Sequence, residues 1–202
     1  MLDGMRGVGT LDPETLLSAY CRGVFPMADP DGQIRWYTAD PRGIIPLDRF
    51  HIPRSLAQFM RSRSFPYELR IDADFAATMR ACMQCRAGHT WITPRLISAY
   101  VRLHELGFAH SVETWQDGQL VGGLYGVSIG GAFFGESMFH LRRDASKVAL
   151  VHLVQRLRER GYLLLDTQAS TQHLRRFGCI EVPARAYMRL LREALARQCR
   201  FV

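Results

Sequence analysis

Lysine is almost missing from this chain: Lys147 is the only one, although lysine and arginine together number 26. Its basic surface is therefore one of planar guanidinium forks, which stay charged and can hold a phosphate through two bonds. Acidic residues number 19, which leaves a formal net charge of +7. That balance suits a nucleic-acid partner, and it suits an arginine-rich solvated surface equally well. Long apolar runs are also missing, and none approaches the roughly 18 residues that a membrane helix needs. The opening stretch MLDGMRGVGTLDPE has no apolar segment of the kind a secretion signal carries. A cytoplasmic protein without a membrane partner is expected. Cysteines number five, and only Cys82 and Cys85 form a C-x-x-C. A structural zinc site would need a second pair at metal-ligand spacing, so no metal is expected, and free thiols in a reducing compartment are. Neither an HExxH motif nor a nucleophile elbow is read in the chain, so the chemistry is not sought in a metal or an activated serine.

What is present is an ordinary globular composition, 48% hydrophobic and 22% charged over 202 residues, enough for one domain with an appendage or two small domains on a shared core. Asp12-Pro13 opens a short helix as N-cap and first helical residue, and Gly23 ends it. GVFPMADPDGQ reads as a punctuated loop. IRWYTADPRGIIPL reads as two strands around a turn at Ala39–Arg42. Helices are expected over RSLAQFMRSR, over DADFAATMRACMQC, and from Thr93-Pro94 to the stop at Gly107, with YELRID as a strand between the first two. From His110 the period changes to two, and HSVETW, LVGGLYGVSIG and GAFFGESMF form an antiparallel meander. Gly122-Gly123 inside its middle strand marks a bulge or a close backbone approach.

The stretch from Gly130 to Gln168 carries the most information. A strand bearing Glu136 and Ser137 leads through a basic loop to a helix capped by Asp144 and stopped at Gly161. A near-continuous apolar strand, YLLLDTQ, follows and is expected to be buried on both faces. Acid and amide groups at the ends of neighbouring strands, beside a helix N-terminus, suit acyl transfer. The order of elements is similar to that of the N-acetyltransferase superfamily. The expected fold class is α+β, an acetyltransferase-like (GNAT-like) mixed sheet flanked by helices, with a small N-terminal domain. Such acetyltransferases hold the coenzyme A pyrophosphate on a glycine-containing loop whose backbone N–H groups face the phosphates. The loop here, FHLRRDASK, has no glycine and places Asp144 at that point. Coenzyme A is therefore disfavoured, and no cofactor is expected.

Ordered segments along nearly the whole chain then point to one family. LLSAYCRGVFPM, WYTADPRGIIPL, FHIPRS, GHTWIT, RLHELGFAHSVETW, LVGGLYGV, FFGESMF, DASKVAL and LLDTQ resemble the leucyl/phenylalanyl-tRNA–protein transferases. The resemblance implies a donor, aminoacyl-tRNA (Leu-tRNA or Phe-tRNA, with Met as a further side chain). It implies an acceptor, a protein with N-terminal Arg or Lys that is thereby marked for degradation. It also implies two parts, a small N-terminal domain over 1–42 and a catalytic domain over 43–202. By the same resemblance Glu136, Asp166 and Gln168 are the catalytic set. Tyr20 and Trp91 lie around the donor's terminal adenosine and the acceptor. Leu124, Phe133, Met138, Leu150, Leu153 and Leu165 line the aminoacyl side-chain pocket, with Ser137 beside them in the substrate site. Arg54 and Arg61 lie near the tRNA acceptor stem. Met27 stands where the family usually has Trp, which would replace adenine stacking by a softer sulfur contact.

The chemistry these residues must support is modest. An amine attacking an aminoacyl ester yields an amide downhill, and an α-amine with a reference pKa of about 7.7–8.0 is partly neutral near pH 7. Orientation, removal of one proton and accommodation of the oxyanion are what remains. Asp166 and Gln168 lie two apart on a strand and so share a face. An ionised Asp166 bonded to the Gln168 amide would orient that amide as an acceptor for the amine proton. Glu136 would supply a carboxylate for a cationic acceptor. From the residues alone, Glu136 and Asp166 could equally cap loops or pair with arginines, and the leucines could be ordinary core. A silent RNA-binding module and a coenzyme A-dependent acetyltransferase are the rivals.

Overall fold

The computed structural model describes residues 2–5, 11–85 and 90–202, the first four as backbone only. Gly88 and His89 of the GHTWIT segment lie outside the described residues. Two sheets organise the chain. The smaller one is antiparallel in the order β1-β3-β2, from β1 (Leu2–Met5), β2 (Phe25–Ala28) and β3 (Ile34–Ala39). The segment read as a loop thus contains an edge strand. Pro26 is compatible with it because β2 pairs on one side only, with β3, and an edge position spares the missing donor.

The larger sheet has seven strands in the order β10-β4-β9-β8-β7-β6-β5. They are β4 (Arg42–Ile45), β5 (Glu68–Ile71), β6 (Ala109–Gln116), β7 (Gln119–Ile129), β8 (Ala132–His140), β9 (Leu164–Gln168) and β10 (Ile180–Val182). Every neighbouring pair is antiparallel except β8 and β9, which run parallel. A parallel pair needs a crossover, and helix α5 (Ala145–Glu159) supplies it. Seen whole, this is the expected α+β mixed sheet flanked by helices. The period-two pattern of the central strands divides the core in two. Tyr125, Phe134 and Leu164 face a cluster with Leu16 and Tyr20 of α1 (Pro13–Cys21), Met79 of α3 (Phe75–Gln84), Leu96 and Tyr100 of α4 (Pro94–Glu105) and Leu191 of α7 (Ala184–Leu195). Leu124, Phe133 and Leu165 face the opposite cluster, with Val148, Val151, Val154 and Leu157 of α5 and Leu56 of α2 (Arg54–Arg61). Strand β9 is therefore buried on both sides, as its unbroken apolar run requires.

The helix ends follow their caps. Asp12 and Thr93 accept from Thr15 N and Leu96 N, each satisfying a donor that the helix itself leaves open. Asp144 does not behave as expected. It stands at the N-cap of α5 with φ 58°, and its side chain caps nothing; the carboxylate is taken by the Lys147 ammonium at 2.5 Å and Arg143 at 3.4 Å. Gly122 explains how α5 comes to lie against the sheet. A Cβ there would collide with the Ala145 side chain and come within 2.9 Å of its backbone, so only glycine lets the first turn of α5 sit on β7. The bulge expected at this point is present, the register shifting between Thr114 and Trp115 so that Val121 is left over on β7. None of the five cysteines, all among the described residues, is in a disulfide, with Cys82 buried in the core and Cys85 exposed.

Candidate active site

The site exists because the parallel pair comes apart. Strands β8 and β9 pair only over Ala132–Phe134 and Leu164–Asp166, yet β8 runs on to His140. Past that point the two strands flank a cleft of about 790 Å³, opening at their carboxyl ends, where ligand sites of parallel strands usually lie. Its walls are Gly135 to Met138 of β8, Thr167 and Gln168 of β9, and the first turn of α5.

Two bulges aim the polar groups at the head of this cleft. Tyr125 pairs with Ser137 and Gly126 with Gly135, so Glu136 is the extra residue. Gly43 pairs with Gln168 and Ile44 with Asp166, so Thr167 is the extra residue on β9. Bulges re-aim side chains at sites of this kind. Gln168 then takes φ 56°, uncommon for a residue with a side chain. Gly43 makes room for the turn, since a Cβ on it would lie 2.5 Å from the Ala169 carbonyl carbon.

Glu136 is the centre of the polar group. Its Oε1 accepts from the Tyr20 hydroxyl at 2.7 Å and from Gln168 Nε2 at 3.3 Å. Among the described residues its Oε2 has only the Tyr100 hydroxyl, at 3.5 Å. The two tyrosine hydroxyls also lie within hydrogen-bond reach of each other, so their two protons are shared among three contacts. Burial pushes Glu136 up to about 7; the Tyr20 hydrogen bond opposes the rise, and the Asp166 charge adds to it. Burial, with the Glu136 charge next, keeps both tyrosines well above the ordinary phenol range, so they are donors here.

Asp166 sits behind this group and is fully buried. Its carboxylate accepts from Arg42 Nε at 2.9 Å and Nη2 at 2.7 Å, from the Tyr187 hydroxyl at 2.6 Å and from the Gln168 backbone N–H at 2.9 Å. The expected bond between Asp166 and the Gln168 side-chain amide is therefore replaced. Asp166 holds Gln168 by its backbone, and the amide turns to Glu136, with Gln168 lining the cleft. Arg42 is also fully buried. It donates to the Gly23 carbonyl at 2.9 Å and lies over the rings of Phe25 and Tyr187, so every face of the guanidinium is occupied. Arg42, Tyr100 and Tyr187 were not anticipated. Tyr100 falls within the helix expected from Thr93-Pro94, and Arg42 within the expected turn.

Most of the expected substrate residues meet in the cleft. Leu124, Met138, Leu150, Leu153 and Leu165 form an apolar wall, and Met27, Trp91 and Ser137 line it with Glu136 and Gln168. Ala28 N–H donates to the Trp91 carbonyl at 3.3 Å, which ties β2 to the segment bearing Trp91. The Ser137 hydroxyl is buried at the cleft wall without a hydrogen-bond partner among the described residues. Two expected residues lie elsewhere. Tyr20 is fully buried and reaches the site only through Glu136, because its ring packs against Phe134. Phe133 is likewise buried behind the wall, stacked on Phe201. The far end of the cleft carries Arg143 and Lys147, with His140 and His173 beside them. Burial and the Lys147 charge push His173 below its ordinary value. Arg54 and Arg61 are exposed on α2, seven residues apart and so on one helix face. The letters GVSIG at 126–130 spell a serine-elbow pattern, but they lie inside β7, and the Ser128 hydroxyl is bonded to that of Tyr162 at 2.6 Å.

Comparison with known families decides what this frame is. The family model described as leucyl/phenylalanyl-tRNA protein transferase matches residues 44–192, and the model for that family's N-terminal domain matches residues 9–40. The chain belongs to the leucyl/phenylalanyl-tRNA protein transferase family. Relatives of that name include one from Akkermansia muciniphila, 54% identical over 93% of this chain and 98% of its own. Another, from Salinibacter ruber, is 54% identical over 92% of this chain and 80% of its own. Among solved structures, L-PGS from Bacillus licheniformis aligns over 80% of this chain and 52% of its own at 14% identity, with a TM-score of 0.45, a likeness too loose to carry an argument. In this transferase the two matched segments meet at the site. Tyr20 and Met27 come from the first, and Glu136, Asp166 and Gln168 from the second, with Arg42 between the two. No helix among the described residues is long and apolar enough to cross a membrane.

Proposed function

We propose that this transferase moves Leu or Phe, with Met as a further donor side chain, from aminoacyl-tRNA to the α-amine of proteins that begin with Arg or Lys. The observation that carries the reading is the Glu136–Gln168 contact at 3.3 Å, at the head of a cleft whose wall is Leu124, Met138, Leu150, Leu153 and Leu165. An apolar slot beside an orienting amide and a carboxylate is what an uncharged aminoacyl group and an attacking amine require. The aminoacyl side chain enters the leucine-lined wall, which brings its ester carbonyl to the polar head. Met27 and Trp91 bracket the entrance, where they contact the donor's terminal adenosine. Sulfur replaces a ring at Met27, so stacking falls mainly to Trp91.

The acceptor amine approaches the Gln168 carbonyl oxygen, and a carboxylate beside it favours a cationic acceptor. Asp166 and Arg42 touch no substrate; they hold Gln168 in its left-handed backbone conformation. Arg54 and Arg61, unpaired with any acid among the described residues, contact the acceptor stem. The reaction belongs in the cytoplasm, where charged tRNA is found, and its product carries a bulky apolar N-terminus that marks it for degradation. Residues 1–42 act as a small N-terminal domain that supplies Tyr20 and Met27 to the catalytic domain over 43–202. The test is to mix labelled leucyl-tRNA with peptides that begin with Arg or with Glu. Label entering the Arg peptide alone is expected; label in neither, or equally in both, would contradict the reading.

A further inference from the structure

Among the polar groups at the cleft head, one has an environment that fits a proton exchange. We propose that Glu136 is the proton acceptor of the transfer reaction, with Oε2 as the atom that takes the proton, and that Tyr20 and Tyr100 are positioning residues that hold this carboxylate. The proposal rests on the aminoacyl-transfer reading above and gives Glu136 a role beyond attracting a cation.

The geometry separates the two carboxylate oxygens. Oε1 is engaged by the Tyr20 hydroxyl at 2.7 Å and the Gln168 amide at 3.3 Å. Among the described residues Oε2 keeps a single long contact, 3.5 Å to Tyr100, and Glu136 lines the cleft. The other acids cannot take this part. Asp166 is fully buried, with its oxygens committed to Arg42, Tyr187 and the Gln168 backbone. Asp144 is ion-paired at the far end; burial works to raise it, and Lys147 and Arg143 together outweigh that and hold it below the ordinary carboxylate range. His173 is surrounded by Lys147, Arg176 and His140, whose charges oppose the cation it would become. Gln168 carries a neutral amide, a feeble base that serves better as the group that aims Glu136 and the amine.

The charged and titratable groups that act on Glu136 come from four elements: Tyr20 on α1, Arg42 on β4, Tyr100 on α4 and Asp166 on β9. Burial outweighs the tyrosine bonds and brings it to about 7, close to the reference α-amine at about 7.7–8.0. A base works best when its proton affinity lies near the operating pH. The step balances with one moving proton. The neutral amine attacks the ester carbonyl, the C–N bond forms, and an N–H proton passes to Oε2. Collapse then breaks the C–O bond to the ribose, and Glu136 delivers the proton to the departing ribose oxygen. The carboxylate is restored, and nothing is oxidised or reduced.

The test is the pH profile of kcat for leucyl transfer from leucyl-tRNA to an Arg-initiated peptide. Wild-type activity should rise as Glu136 ionises, around its value of about 7, and be lost below it. Glu136→Gln keeps the size and the Tyr20 contact but cannot accept a proton, and should lose about 10²–10⁴-fold in rate. Formate should restore part of the activity of Glu136→Ala. Tyr20→Phe removes the 2.7 Å bond that favours the ionised form, so its acid limb should move to higher pH; a merely structural role would lower the rate and leave the limb in place. Glu136→Gln within tenfold of wild type, or Tyr20→Phe with an unmoved limb, would overturn the proposal while the transfer reading stands. Wild-type enzyme inactive at every pH would overturn both.

Discussion

Removing Arg42 should cost this protein more than its position in a turn-like sequence suggests. Arg42 and Asp166 are both 0% exposed, and the pair is bidentate, with Nε at 2.9 Å and Nη2 at 2.7 Å. In Arg42→Met the alkyl volume is kept, but Asp166 is left as a buried charge held by the Tyr187 hydroxyl and one backbone N–H. Breaking a buried pair from one side typically costs about 3–5 kcal/mol, because the surviving ion has lost both water and partner. The Gly23 carbonyl also loses its donor, which places the expectation in the upper half of that range. For a chain of this length each kcal/mol moves Tm by about 2–4 °C, so a fall of roughly 10–20 °C is expected. The assay is urea unfolding at pH 7 on Arg42→Met, on Asp166→Asn and on the double variant. If the cost arises from the stranded charge, the double variant is more stable than Arg42→Met, recovering about 1–2 kcal/mol. A single variant that loses less than about 1 kcal/mol, or a double variant no better than Arg42→Met, refutes the reasoning.

Gln168→Gly should leave stability unchanged or higher by up to about 1 kcal/mol, since glycine adopts a positive φ freely; transfer should nonetheless fall at least tenfold, and unfolding curves read beside initial rates check both halves. Activity should fall steeply with salt, because each phosphate contacted by a cation contributes about 0.7–0.9 to the slope of log affinity against log salt. Removing Arg54 and Arg61 together should flatten that slope by about 1–2, and an unchanged slope takes α2 off the RNA surface.

How much of this was legible from the residues differs from element to element, for physical reasons. The caps at Asp12 and Thr93 and the close approach at Gly122 depend on local rules, and all are present. The unbroken apolar run of β9 announces burial on both faces, and Leu164 and Leu165 do pack into opposite cores. Strand β2 was hidden because Pro26 and the flanking Gly23, Pro30 and Gly32 are loop punctuation, and Pro26 is tolerated only at a sheet edge, which no local pattern reveals. The bulges at Glu136 and Thr167 break the two-residue period, so the Asp166 contacts could not be read from alternation. Tyr20 was expected at the substrate because the family segment around it is distinctive; its complete burial turns it into a support for Glu136. Arg42 carried no local signal, because a buried arginine is made by the acid that meets it, here 124 positions away.

The central claim is that this cleft joins an amino acid carried by tRNA to the N-terminus of a protein. The most direct measurement incubates leucyl-tRNA with an Arg-initiated peptide and the purified protein, and follows the peptide by mass spectrometry. The account predicts a peptide heavier by one leucyl residue on its α-amine, formed as uncharged tRNA is released and absent when the N-terminus is acetylated. An unmodified peptide, with leucyl-tRNA intact or merely hydrolysed, would contradict it.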